Sequence, residues 1–183
     1  HDLRNISYQE ELDYLVNSKA RNAFIKNLVL DMKDNTLLLF RFVEKHGKLL
    51  YDMIKEESDG RTVFFVHGGT TTDTREQIRH IVESERNSVI VASYGVFSVG
   101  VNIRNLHNII FASPSKSRIR NLQSIGRGLR KSENKSMATL YDIADDLSYG
   151  SGHNYTLDHF EERKKIYKEE KFEMAEYFVQ LKT

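Results

Sequence analysis

Residues 36–42 read Thr-Leu-Leu-Leu-Phe-Arg-Phe, a nearly continuous apolar run that follows the polar stretch Lys33-Asp34-Asn35. A strand covered on one face alternates apolar and polar residues. A run without that alternation suits a strand buried on both faces, as in a parallel sheet. The signature returns as TVFFVHG (62–68), SVIVAS (88–93), NIIFAS (108–113) and MATLYDIAD (137–145). Helical stripes lie between: Leu49, Leu50, Met53 and Ile54, then Ile78, Ile81 and Val82 in a helix begun by Asp73-Thr-Arg-Glu76. A further helix is expected between the last two strands. Strand and helix alternating at this spacing predict an α/β fold, a parallel sheet with helices on both faces. The sole proline, Pro114, falls just past a strand, where it removes no ladder hydrogen bond.

Outward from this core, Ser7-Tyr-Gln-Glu10 has capping-box spacing, and Tyr8, Leu12, Leu15 and Val16 follow on one face. A second helix presents Ala20, Phe24, Leu28 and Met32. Past Leu147 the composition shifts to the loop Tyr149-Gly-Ser-Gly-His153 and the mixed-charge run EERKKIYKEEK (161–171), read as a solvated helix face. The expected organisation is a helical lead-in over 1–35, the sheet over 36–147 and a helical extension over 148–183. The start at His1-Asp2-Leu3 reads as a boundary within a longer polypeptide.

Lys and Arg total 27 against 26 Asp and Glu, so any nucleic-acid surface has to come from local clustering rather than bulk charge. The chain has no cysteine, which excludes disulfides and thiolate metal sites. No apolar run approaches the ~20 residues that span a bilayer, and no membrane partner is expected.

The clustering occurs in Gln123-Ser-Ile-Gly126-Arg127-Gly128-Leu129-Arg130. At about 100° per residue, Gln123, Arg127 and Arg130 share a helical face with Arg120, and Leu122, Ile125 and Leu129 form an apolar stripe beside it. Between Ser113 and Ser132 the chain carries Lys116, Arg118, Arg120, Arg127, Arg130 and Lys131 and no acidic residue, so this helix faces an anion. Two glycines inside it cost about 1 kcal/mol each relative to alanine, which suggests close approach to the backbone.

This segment resembles motif VI of superfamily-2 helicases. The resemblance implies a RecA-like second lobe, with flanking amino- and carboxyl-terminal helices. It also implies that Arg127 and Arg130 are catalytic, reaching the γ-phosphate of ATP held by an amino-terminal lobe. A guanidinium offers planar, permanently charged donors where phosphoryl transfer develops charge. Ser93-Tyr-Gly95-Val-Phe-Ser-Val-Gly100-Val-Asn102 resembles motif V, which implies nucleic-acid contacts at Ser93 and Gly95 and places Gly100, Asn102 and Gln123 near ATP. The family often has an acidic residue where Asn102 stands, so Asn102 either contacts the nucleotide or caps the loop. Phe64-Phe65-Val66-His67-Gly68-Gly69 resembles the strand-His-Gly element of the nucleic-acid track, with His67 and Gly68 as contacts. Residues 37–47 resemble motif IV, with Arg41 as a further contact. His67 also reads as a hydrogen-bonded strand-end histidine, and His46 more so.

A narrower resemblance, to phage recombination helicases, covers the amino-terminal helices, His46-Gly47 and His159-Phe-Glu-Glu-Arg163-Lys-Lys-Ile-Tyr167. It implies DNA as partner, with branched DNA or an RNA–DNA hybrid among the substrates, and the cytoplasm of a phage-infected host as location. No G-x-x-x-x-G-K-[ST] loop occurs, so ATP and Mg are expected mainly on the other lobe, and this chain alone is expected not to hydrolyse ATP. Asp145-Asp146 imitates a magnesium site but reads as strand-end capping, and no metal site is expected in this chain. The alternatives are a non-enzymatic nucleic-acid-binding module and a duplex translocase that does not separate strands.

Overall fold

A computed structural model of the chain describes residues 6–98, 105–113, 138–147 and 154–181, with no side-chain description at 97 and 98. Helices α1 (Tyr8–Asn17) and α2 (Lys19–Asp31) lead into β1 (Thr36–Phe40), a π-helical turn (Val43–Gly47) and α3 (Lys48–Glu56). Then come β2 (Val63–Val66), α4 (Thr72–Ser84), β3 (Val89–Ser93), the short α5 (Tyr94–Ser98), β4 (Asn108–Phe111), β5 (Thr139–Asp142) and α6 (Tyr155–Glu169). All five strands are parallel, in the order β2-β3-β1-β4-β5. The helix expected between β4 and β5 lies outside the described residues.

Burial follows position in the sheet: the edge strands β2 and β5 are only partly buried. β1 and β3 are buried at every position, and successive side chains serve two separate cores. Leu37, Leu39, Ile90, Ala92, Ile109 and Phe111 pack with Ile78 and Val82 of α4 on one face. Leu38, Phe40, Val89, Val91 and Ile110 pack with Ile25 and Val29 of α2 and Leu50 and Ile54 of α3 on the other. Right-handed crossovers account for this division. The chain runs from β1 to β2 in one direction along the sheet through α3. It returns from β2 to β3 through α4, so α3 and α4 must lie on opposite faces. As a result β1 and its neighbour β3 send their following segments to opposite faces. In parallel sheets that reversal opens a crevice at the carboxyl ends of the two strands.

Several local expectations are corrected. The buried face of α2 is Arg21, Asn22, Ile25 and Val29, while Ala20, Phe24, Leu28 and Met32 are only half-buried. Periodicity favours the more apolar stripe, but here two polar residues are buried because they have partners at the sheet end. Leu49 and Ile81 are exposed, leaving Leu50 and Ile54 on α3, and Ile78 and Val82 on α4, as the fully buried positions. The cap of α4 is Thr71, whose hydroxyl accepts from the Thr74 amide at 3.2 Å, so Asp73 sits in the first turn rather than at the cap. The Ser7 cap of α1 holds, accepting from the Glu10 amide at 3.2 Å and donating to its carboxylate at 3.1 Å.

The charged run at 161–171 is not wholly solvated. Arg163 is buried and grips Asp142 at the end of β5 with two hydrogen bonds, 2.6 and 2.8 Å, while the Tyr167 hydroxyl donates to Asp142 at 2.5 Å. Buried Glu11 on α1 accepts from the Thr156 amide at 2.9 Å and from the Asn154 side chain. It thus places a carboxylate at the amino terminus of α6, where the helix dipole favours negative charge.

The π-helical turn is held by a second close fit. The Gly47 amide donates to the Phe42 carbonyl at 2.8 Å, and a Cβ at Gly47 would lie 2.4 Å from the Phe40 ring. That ring is fully buried and stacked on Phe65, so it has nowhere to go. Gly47→Ala is expected to destabilise the chain by about 1–3 kcal/mol through overpacking, read as a lower urea midpoint. An unchanged midpoint would show that the Phe40 ring yields.

Candidate functional site

Ends of parallel strands leave backbone groups and short loops free to face a ligand, and those of the singled-out residues that the structure describes gather there. Arg41 directly follows β1, Ser93 ends β3 in register with Phe40, and His67-Gly68 follow β2. Their strands are neighbours in the order β2-β3-β1, so these three strand exits form one row. At about 4.8 Å per strand the row is roughly 10 Å long. Arg41 is exposed, with its guanidinium 4.9 Å from the Phe42 ring centroid, and Lys45 approaches the same ring at 5.4 Å. Gly95 is exposed in α5 with open space beside its Cα. Ser93 is only 8% exposed, so a ligand meeting it must reach down to the strand end. Gly100, Asn102, Gln123, Arg127 and Arg130 lie outside the described residues.

His67 belongs to a built turn. Its Nδ1 accepts from the Gly69 amide at 3.0 Å, which puts the proton of the neutral ring on Nε2. Its own amide donates to the Thr70 hydroxyl at 3.1 Å, and its ring lies 5.4 Å from Phe65. A Cβ at Gly69 would come 2.8 Å from the ring, so glycine permits this fold-back. Arg75 on α4 donates to the carbonyls of His67 and Gly68 at 3.3 and 3.2 Å, fixing the turn from behind.

Beneath the row lies a polar network that sequence reasoning missed. His46, fully buried on the π-helical turn, sits between Asn22 and Ser113. The Asn22 amide donates to the Val16 carbonyl at 3.0 Å, so its oxygen faces His46 Nε2 at 2.8 Å and must accept. The His46 proton is therefore on Nε2, and Nδ1 accepts from the Ser113 hydroxyl at 2.7 Å. Burial, and then the nearby Arg21 charge, push the His46 pKa down from its ordinary 6.5 to about 3. Arg21 is itself buried. It grips both oxygens of Asp145 at 2.8 and 2.9 Å and donates to the Ala112 carbonyl at 2.6 Å. Asp145 is thus the partner of a buried cation, and its carboxylate is not displayed for a metal. The available signal for this network was a strand-end histidine together with an Arg-Asn pair one turn before Ile25 on α2.

The family of helicase conserved C-terminal domains matches residues 20–132. This chain belongs to that family. It is similar to the ATP-dependent DNA helicase UvsW of Enterobacteria phage T4, 36% identical over 183 residues, covering 93% of this chain and 36% of that protein. The chain therefore spans about a third of the length of UvsW. The crystal structure of T4 UvsW superposes with a TM-score of 0.74 at 35% identity, again over 93% of this chain and 36% of that one. The C-terminal part of the Fun30 ATPase domain shares the fold alone, with 14% identity and a TM-score of 0.57 over 93% of this chain and 50% of that one. The fold of this helicase lobe is RecA-like. No helix among the described residues is long and apolar enough to cross a membrane.

The buried histidine makes the lobe acid-sensitive. In the unfolded chain His46 takes up a proton near pH 6.5, whereas in the folded chain it does so only near pH 3. Between those values the unfolded state binds more protons, so stability is full above pH 6.5 and declines as pH falls toward 3. The expected slope approaches about 1.4 kcal/mol per pH unit from this group. Urea unfolding at several pH values should show a shallower acid decline for His46→Asn than for the unsubstituted chain. Equal slopes would remove His46 as the titrating group.

Proposed function

We propose that this chain is the C-terminal motor lobe of an ATP-dependent DNA helicase or translocase acting on branched recombination, replication or repair intermediates. The observation that carries the reading is the row of strand exits: Arg41, Ser93 with Gly95, and His67 with Gly68 lie side by side at the carboxyl ends of the neighbouring strands β1, β3 and β2. A charged, glycine-bearing edge of this kind suits an extended anionic strand, whose phosphates meet backbone amides and a guanidinium. Relatedness to an ATP-dependent DNA helicase supports a nucleotide-driven motor, and the sequence resemblance to phage recombination helicases supports the branched substrate.

In this reading ATP with Mg, held mainly by an amino-terminal lobe, supplies the phosphoryl group. This lobe contributes Arg127 and Arg130 as guanidinium donors, with Gln123, Gly100 and Asn102 lining the nucleotide side. What the described residues display fits such a division. Asp145 is occupied by Arg21, and the row carries the exposed Arg41 and the exposed glycines Gly68 and Gly95 beside the half-buried His67. An arginine that meets charge developing in the transition state raises turnover more than it raises nucleotide affinity.

Steady-state ATPase of the full-length enzyme at saturating DNA is the test. Arg127→Ala and Arg130→Ala should each lower kcat by on the order of 10³-fold with little change in nucleotide binding. Arg127→Lys should not restore it, because a point charge lacks the planar fork. Near-normal turnover in both alanine variants would leave a nucleic-acid-binding module as the better description. The 183-residue chain by itself should release no phosphate above background, since it has no phosphate loop to position Mg-ATP.

Single-stranded DNA binding by this lobe should be weak and should fall steeply with salt, because few phosphates are neutralised on a chain of near-zero net charge. In the full-length enzyme, Ser93→Ala should weaken DNA binding and DNA-stimulated ATPase together. If both are unaffected, Ser93 is not part of the track.

A further inference from the structure

The network beneath the row joins the exits of four of the five strands. From β1 comes the π-helical turn carrying His46, from β3 Tyr94, from β4 Ala112 and Ser113, and from β5 Asp145. Ala112 and Ser113, at the exit of β4, take part in four of these bonds. Ser113 donates its hydroxyl to His46, and its carbonyl accepts the Tyr94 hydroxyl at 2.9 Å. The Ala112 carbonyl accepts Arg21, and the Ala112 amide donates to the Leu39 carbonyl at 2.9 Å. The point where the chain leaves β4 is therefore held from α2, from the π-helical turn, from α5 and from β1.

We propose that the hydrogen bond from Ser113 to His46 is a positioning contact for nucleotide turnover, fixing the exit of β4 relative to the exits of β1 and β3. The proposal rests on reading the chain as a motor lobe. Simple stability does not explain the arrangement. A buried Arg–Asp pair with a buried histidine and asparagine carries a desolvation cost, and well-packed apolar side chains commonly hold a fold as firmly. A fully satisfied polar network instead specifies one geometry, because any displacement leaves a donor or acceptor unpaired in a dry interior. The imidazole suits this role chemically. It has one donor and one acceptor on opposite edges, both are in use, and its tautomer is dictated by Asn22. The sequence that follows Ser113 carries Gln123, Arg127 and Arg130. A catalytic group displaced by as little as 1 Å can lose about 10²-fold in rate, whereas ground-state binding tolerates such a shift. Loosening Ser113 should therefore appear in kcat.

The experiment uses the full-length enzyme with Ser113→Ala, Ser113→Thr and Tyr94→Phe, and Arg127→Ala beside them. Ser113→Ala should lower DNA-stimulated kcat about tenfold while KM for ATP and DNA affinity stay within about twofold. Ser113→Thr, which keeps the hydroxyl, should retain most of the rate. Tyr94→Phe, which removes one bond to the Ser113 carbonyl, should fall between. Hydrogen–deuterium exchange without nucleotide supplies a readout independent of activity: peptides beginning at Ser113 should exchange faster in Ser113→Ala, with those over β1 and β3 unchanged. Unaltered kcat in folded Ser113→Ala overturns the proposal, as does a threonine variant no better than alanine. So does exchange that rises equally across the whole lobe, which would mark general destabilisation. If Arg127→Ala turns over normally, the motor reading itself fails. If Arg127→Ala is inactive while Ser113→Ala is normal, only the positioning role fails.

Discussion

Strand β1 has no side open to water. It is hydrogen-bonded to β3 on one edge and β4 on the other, and its four apolar side chains alternate into two separate cores. A strand enclosed in this way confines polar chemistry to its two ends, because an unpaired polar group along its length would cost more than the marginal stability of a domain allows. Both ends are accordingly crowded with hydrogen bonds. At the amino end Asn35, fully buried, donates to the carbonyls of Val82, Glu85 and Asn105 and accepts from the Ser88 amide at 2.8 Å. At the carboxyl end Arg21, Asn22, His46 and Ser113 do the corresponding work.

The two ends nevertheless differ in what they leave outside. Asn35 closes the amino end with main-chain acceptors, and Arg61 adds three more such bonds, to the carbonyls of Asn87, Val29 and Asp34. The carboxyl end is sealed below and displays side chains above. Because crossovers in parallel sheets are right-handed, β1 and β3 diverge to opposite faces, and the exposed groups of the row stand over the resulting crevice. Groups held by a second layer of hydrogen bonds lose little freedom when a ligand binds.

Much of this was legible in the residues. The unalternating runs at 36–42, 88–93 and 108–113 disclosed buried parallel strands, those at 62–68 and 137–145 became partly buried edge strands, and the His-Gly and Ser-Tyr-Gly sequences marked strand ends. Helix faces were less legible. The stripe Phe24-Leu28-Met32 is more apolar than the one containing Arg21 and Asn22, so periodicity selects the wrong side of α2. The run at 161–171 looks solvated because a residue such as Arg163 is costly to bury unless a partner is at hand. That partner, Asp142, lies 21 residues earlier in the chain. In each case the missing information is a long-range pairing, which makes a buried charge tolerable and which no local pattern records.

Sequence by itself thus determined the sheet, its parallel sense and the cationic Gln-Gly-Arg-Arg segment, and it located each strand to within a few residues. These follow from burial periodicity and from residue chemistry, both local properties. Only the tertiary structure decided that the exits of β2, β3 and β1 form one row, that His46 holds its proton on Nε2, and that Arg21 and Asp145, 124 residues apart, are one ion pair. Strand order, tautomer and ion pairing all depend on which distant groups the fold brings within about 3 Å, a distance at which a hydrogen bond is made or a buried charge left uncompensated.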